Sequence, residues 1–196
     1  MYVPQLGPAV PRRGNAISRA IGRATLGAGG WKFEGTIPNE PKFVVIVVPH
    51  TSNWDFIVGV GALFSIGFLI SFLGKHTLFK WPFGIFMRWL GGIPVERSVK
   101  RDRVAEAVGE FNSAEKLILA VAPEGTRKLV KEWKTGFYHV AHGAHVPIVP
   151  VAFDYGTKTI RLDTPFWTTG DPDGDIARLK EIYRNVVPKN PKNFQL

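Results

Sequence analysis

Residues 43–48 form an unbroken run of apolar, mostly β-branched side chains, the pattern of a strand buried on both faces. Residues 56–74 carry no charge across 19 positions. A membrane span needs about 20 such residues, but this run stands between two predicted strands, 43–48 and 76–79. It therefore predicts one helix of the same domain, buried or lipid-facing. Residues 116–121, 146–153 and 157–162 predict further strands, and 31–35 and 93–95 short extended pieces. Helices are predicted over 14–28, 100–112, 134–144 and 173–187. Val104, Val108 and Phe111 share one face of the second, and Asp173 and Asp175 stand at the favourable start of the last. Strands alternate with helices, which predicts a single α/β domain with a central, mostly parallel sheet flanked by helices. That domain covers 31–187, between a basic amphipathic arm and helix, 1–30, and a loose tail, 188–196.

Composition changes the picture in three ways. With 45% apolar and 21% charged residues in 196, the chain is globular and large enough to bury a core. It contains no cysteine, which removes disulfides, thiolate metal sites and a cysteine nucleophile. Its formal net charge of +9 points to a polyanion: nucleic acid, an anionic membrane or a phosphorylated substrate. There is no RNP motif, zinc finger or helix-turn-helix signal, and the aromatic residues sit in apolar stretches, so nucleic acid is not the expected partner. Residues 1–30 hold four arginines and no acid, and a helix of that kind suits an anionic membrane surface. Residues 80–90 mix Trp81, Phe83, Phe86 and Trp89 with Lys80 and Arg88, which suits either a membrane interface or ordinary helix packing. The first residues lack the layout of a secretory signal, so the cytoplasmic side of the cell membrane is expected, with peripheral or monotopic attachment.

The chemistry concentrates between the strand at 43–48 and the run at 56–74. There the chain reads Pro49-His50-Thr51-Ser52-Asn53-Trp54-Asp55. With His50 in a loop and Asp55 in the first helical turn, the carboxylate turns back toward the imidazole. It then fixes the ring tautomer and stabilises the imidazolium. The plainer reading makes Asp55 a helix cap and His50 a loop residue. Ser52 beside the histidine reads as a loop hydrogen-bonder. His139, His142 and His145 recur every third residue, but no acidic or cysteine ligand lies within their cluster, and no metal is expected.

Three more segments follow in order: Gly92-Ile93-Pro94-Val95-Glu96-Arg97, Pro123-Glu124-Gly125-Thr126-Arg127 and Val146-Pro147-Ile148-Val149-Pro150-Val151. Together with His50-x4-Asp55 they resemble the lysophospholipid (glycerolipid) acyltransferase family, which includes the 1-acylglycerol-3-phosphate acyltransferases. The resemblance covers roughly residues 43–155. It departs from the family's usual residues at Pro49, where asparagine is common, and at Ala122, where phenylalanine is common. It implies a glycerol-3-phosphate-acyltransferase-like fold. It also implies transfer of a fatty acyl group from acyl-CoA or acyl-carrier protein to a hydroxyl of a lysophospholipid such as 1-acylglycerol-3-phosphate, with no cofactor. His50 is then the general base and Asp55 its orienting acid. The hydroxyl attacks the thioester directly in a ternary complex. Arg97 and Arg127 grip the acceptor phosphate, Gly125 and Thr126 approach it, and Glu124 orients an arginine or a hydroxyl. Lys75 stabilises the oxyanion, holds phosphate or simply ends a helix. Arg97 also has a plain reading as a surface ion pair with Glu96 or Asp102. The uncharged run and the stretch 81–90 are expected to line an acyl slot, with room made at Gly59, Gly61 and Gly67. Two other readings stay open: a different lipid acceptor, such as a lyso-ornithine lipid or a glycolipid, and a non-catalytic membrane lipid-binding protein of the same fold.

Overall fold

A computed structural model describes residues 1–95 and 103–196; the side chains of 73–75 and 95 lie outside that description. The strands are β1 (Lys32–Gly35), β2 (Lys42–Val48), β3 (Ser71–Lys75), β4 (Gly92–Val95), β5 (Leu117–Val121), β6 (Ile148–Asp154) and β7 (Thr159–Leu162). They form one sheet in the order β1-β7-β6-β2-β5-β3-β4. Strands β6, β2, β5, β3 and β4 run parallel; β7 pairs antiparallel with β6, and β1 parallel with β7. The expected α/β fold with a mostly parallel sheet is therefore what the chain adopts.

Strand β2 is central, and its alternation divides the core. Phe43 and Val45 face a cluster completed by Leu26 of α1 (Ala16–Ala28) and by Val58 and Ala62 of α2 (Trp54–Ile66). Val44, Ile46 and Val48 face the opposite cluster. That one holds Phe111 of α4 (Arg103–Ser113), Phe137 and Tyr138 of α5 (Gly136–Gly143) and Leu179 of α6 (Pro172–Glu181). Burial on both faces is why β2 reads as an unbroken apolar run. Asn15 starts α1 by a reciprocal cap with Ser18. A Cβ at Gly22 would run into the backbone of Gly61 and Ser65, so α1 and α2 lie backbone against backbone.

Three expectations change. The run 56–74 is not one helix. Gly67 takes φ +77, closes α2, and the chain turns into β3. Residues 76–79 form a 3-10 turn in place of a strand, with Phe79 buried and His76 half-buried. The final helix stops at Glu181. Beyond it the chain tightens into turns that bury Tyr183, whose hydroxyl donates to the Ile46 carbonyl of β2 at 3.4 Å. The aromatic stretch becomes the short α3 (Phe83–Trp89), after which Gly91 takes φ +97.

Candidate active site

Parallel strands deliver their following loops to one edge of a sheet, and open α/β sheets place their chemistry there. Strand β2 leads to His50, β5 to Glu124–Arg127 and β6 to Tyr155. The three strands are neighbours, in the order β6-β2-β5. Lys75 ends β3 on the far side of β5, but its side chain is outside the described residues, and so is Arg97.

His50 Nδ1 lies 3.4 Å from Asp55 Oδ2; the ring is partly exposed and the carboxylate is buried. Asp55 sits in the first turn of α2. Its Oδ2 accepts the backbone N–H groups of Thr51 at 2.7 Å and Ser52 at 2.8 Å. Its Oδ1 accepts the Tyr155 hydroxyl at 2.8 Å. Burial alone would raise the Asp55 pKa. The hydrogen bonds from His50, the Ser52 backbone and Tyr155 outweigh burial, and the group lies below its ordinary value. Burial and the Asp55 carboxylate push the Tyr155 hydroxyl well above its usual range, so it stays a donor. Asp55 thus folds the loop around itself and lies beside one nitrogen of the imidazole, away from the other.

The loop has two further ties. The His50 backbone N–H donates to Glu124 Oε1 at 2.9 Å. Glu124 is buried, which raises its pKa above the ordinary value against the lowering effect of that hydrogen bond, and its Oε2 has no partner. On the opposite side, Asn190 Nδ2 donates to the Thr51 carbonyl at 2.9 Å, and the Asn190 N–H donates to Thr51 Oγ1 at 3.2 Å. The segment expected as a loose tail therefore grips the residue next to His50. Ser52 Oγ accepts the Trp54 N–H at 3.2 Å, as a loop hydrogen-bonder does.

Gly125 takes φ +62, and Thr126 Oγ1 accepts the Lys128 N–H at 3.3 Å. Arg127 is exposed and, among the described residues, has no hydrogen bond or ion pair. His145 lies past the end of α5 in a left-handed conformation, and His142 Nδ1 lies 2.9 Å from Thr168 Oγ1, so the three histidines share no helix face.

His50, Asp55 and Arg127 stand at the lip of a cavity of about 570 Å³ between α2 and the sheet. Phe43, Val45, Val149 and Phe153 line its depth. Of the three glycines expected to make room, Gly59 alone is in the wall. Gly61 packs on Leu26, and Gly67 closes α2.

Tyr155 and Asn190 carry no sequence signal of their own. Each is polar and lies far along the chain, and only the sheet order and the returning tail bring them to His50.

Several known proteins are similar to this chain. The chain is 26% identical over 154 residues to the 1-acyl-sn-glycerol-3-phosphate acyltransferase of Haemophilus influenzae, a match covering 72% of this chain and 60% of that protein. It is 27% identical over 144 residues to the enzyme of the same name from Escherichia coli, covering 68% and 57%. It is 31% identical over 150 residues to human 1-acyl-sn-glycerol-3-phosphate acyltransferase beta, covering 72% and 53%. The chain thus spans between half and three fifths of the length of these relatives. Its fold matches the crystal structure of the 1-acyl-sn-glycerophosphate (LPA) acyltransferase PlsC from Thermotoga maritima with a TM-score of 0.60 at 19% identity, over 88% of this chain and 80% of that one. The pattern of the Acyltransferase family matches residues 32–154, the stretch that carries strands β1 to β6, His50, Asp55 and Glu124, and this protein belongs to that family.

Proposed function

We propose that this protein transfers a fatty acyl group from acyl-CoA or acyl-carrier protein to the hydroxyl of a lysophospholipid of the 1-acylglycerol-3-phosphate type. The observation that carries the reading is His50, held by buried Asp55 at the mouth of an apolar cavity of about 570 Å³. That volume falls within the roughly 300–1,000 Å³ of ligand pockets. The free ring nitrogen of His50 takes the acceptor's hydroxyl proton. The oxygen attacks the thioester carbonyl carbon, the C–S bond breaks, and the imidazolium returns the proton to the departing thiolate. Asp55 stabilises the imidazolium. The sequence offers no cysteine, so a direct attack within a ternary complex is the simplest route. Arg127, at the lip and without a partner among the described residues, grips the acceptor phosphate, with Arg97 and Lys75 as further candidates.

The acceptor reaches the site from a membrane surface on the cytoplasmic side. No helix among the described residues is long and apolar enough to cross a bilayer. Side chains that a soluble protein usually covers are open on α3 and just before it: Trp81 is 84% exposed, Phe83 73% and Ile85 69%. Ile17 and Ile21 are likewise turned out from α1.

The test is thiol release from palmitoyl-CoA in detergent, with and without lysophosphatidate. Acceptor-dependent release is expected, and His50→Ala is expected to lower it by about 10²–10⁴-fold. No release from CoA or carrier-protein donors across a panel of lysolipids would refute the reading.

A further inference from the structure

At the opposite end of α2 from His50 lies a second cleft, of about 230 Å³. The helix has 13 residues, so this cleft is about 20 Å from the catalytic loop. Its walls are the last turn of α2, the arm at residues 3–6 and the inner flank of α1. Arg12, Arg19 and Arg23 all line it, and no acidic side chain does. Arg12 donates to the Leu6 carbonyl at 2.7 Å. The guanidinium groups of Arg19 and Arg23 have no hydrogen bond or ion pair among the described residues. They stand four apart on one helix, a spacing at which like charges repel. Ser65, fully buried in the same wall, has a hydroxyl with no partner. A buried polar atom of that kind calls for an explanation.

The end of α2 is the one feature that disfavours an anion, since a helix C-terminus carries about half a negative charge. Three guanidinium groups outweigh it about six to one. The carbonyl of Gly67 is in addition occupied by the Arg13 N–H at 2.9 Å. The cleft is thus a positive pocket whose own repulsion an anion relieves. Guanidinium forks match phosphate oxygens in particular. Its surroundings are apolar: Ile17 and Ile21 point outward from the helix that supplies two of the arginines, and Arg13 stacks 4.2 Å from the centre of the exposed Trp89 ring.

We propose that Arg12, Arg19 and Arg23 form a phosphate-binding site, separate from the catalytic one, which holds the headgroup phosphate of an anionic phospholipid and seats the protein on the bilayer. Only its lipid source rests on the membrane reading above.

Two arms test it. In the first, the melting temperature of the full chain is followed against inorganic phosphate, with chloride at equal ionic strength as reference. Phosphate is expected to raise it beyond chloride. The gain should vanish in Arg19→Gln/Arg23→Gln and shrink in Arg19→Lys/Arg23→Lys, which keeps charge but loses the fork. In the second, flotation compares phosphatidylcholine vesicles with vesicles that also contain phosphatidylglycerol. Several-fold tighter binding to the mixed vesicles is expected, lost in the Gln pair while binding to neutral vesicles persists. Phosphate protection without vesicle discrimination would overturn the lipid source. An equal loss in Lys189→Gln/Lys192→Gln would reduce the effect to general surface charge and overturn the site, as would the absence of both effects. Neither arm involves acyl transfer, so an inactive enzyme leaves this site standing, and failure here leaves the acyl-transfer reading standing.

Discussion

Asp55 is the most heavily engaged residue of the site. Two backbone N–H groups and the Tyr155 hydroxyl meet its two oxygens, and His50 lies beside Oδ2. A hydrogen bond to a charged group contributes about 1.5–3 kcal/mol. Tyr155→Phe is therefore expected to lower kcat by about ten- to a hundredfold with KM little changed, since the hydroxyl acts through the aspartate. The same change has an acid signature. The lowered Asp55 pKa contributes stability above the ordinary carboxylate value that is lost as pH falls through the folded value. Removing a donor raises that folded value, so the acid unfolding midpoint of Tyr155→Phe is expected to move to higher pH, read by tryptophan fluorescence. Glu124 has the opposite sign. Its raised pKa means that burying the ionised form costs stability, a cost present above the folded value and relieved as pH falls through it. Glu124→Gln keeps an acceptor for the His50 N–H without that charge. It is expected to gain stability relative to wild type at neutral pH, with the gain fading toward pH 4 in urea unfolding.

Among the elements, α2 joins both ends of the reading. Its first turn carries Asp55, its middle lines the cavity through Gly59, and its last turn meets the arginine cleft. A Cβ at Gly59 would meet Phe153 at 3.6 Å, an ordinary contact, so the backbone tolerates a side chain that then grows into the cavity. Gly59→Leu is expected to shift donor preference from palmitoyl-CoA toward decanoyl-CoA, because each methylene left unburied forfeits about 0.8 kcal/mol. Parallel turnover assays on the two donors measure it. The tail acts through one side chain. Asn190→Ala removes the bond to the Thr51 carbonyl, about 0.5–1.5 kcal/mol, and is expected to lower kcat several-fold while lowering the melting temperature by only a few degrees. Asn190→Asp, which sets a carboxylate against that carbonyl, is expected to do worse.

At the scale of the whole molecule, the sheet order β6-β2-β5-β3-β4 aligns five strand ends along one edge. The His50 loop, the Glu124–Arg127 turn and Tyr155 follow three of them. Exposed apolar side chains stand on α3 and just before it, on the outer face of α1 and at the start of α2, where Trp54 is exposed. Trp81→Ala/Phe83→Ala/Ile85→Ala removes side chains that support no core. It is expected to leave the fold intact by circular dichroism and to weaken flotation with neutral vesicles at least tenfold, given about 1.5–3 kcal/mol for each large apolar side chain buried.

By itself the sequence determined the α/β class, the central strand β2, the His50/Asp55 pair and the Glu124–Arg127 turn. Local physics writes each of these into a short stretch: a doubly buried strand must be apolar throughout, and an aspartate in the first turn of a helix can reach back to a histidine in the loop before it. The sequence could not divide the run 56–74, because an apolar helix and a buried strand have the same composition. Only the left-handed turn at Gly67 separates them. Nor could it distinguish glycines that make room from glycines that let helices touch. Tyr155, Asn190 and the three convergent arginines were decided by tertiary structure alone. The partners of Tyr155 and Asn190 lie 100 and 139 positions away in the chain, and a polar residue whose task is set by a distant neighbour leaves no pattern in its own surroundings.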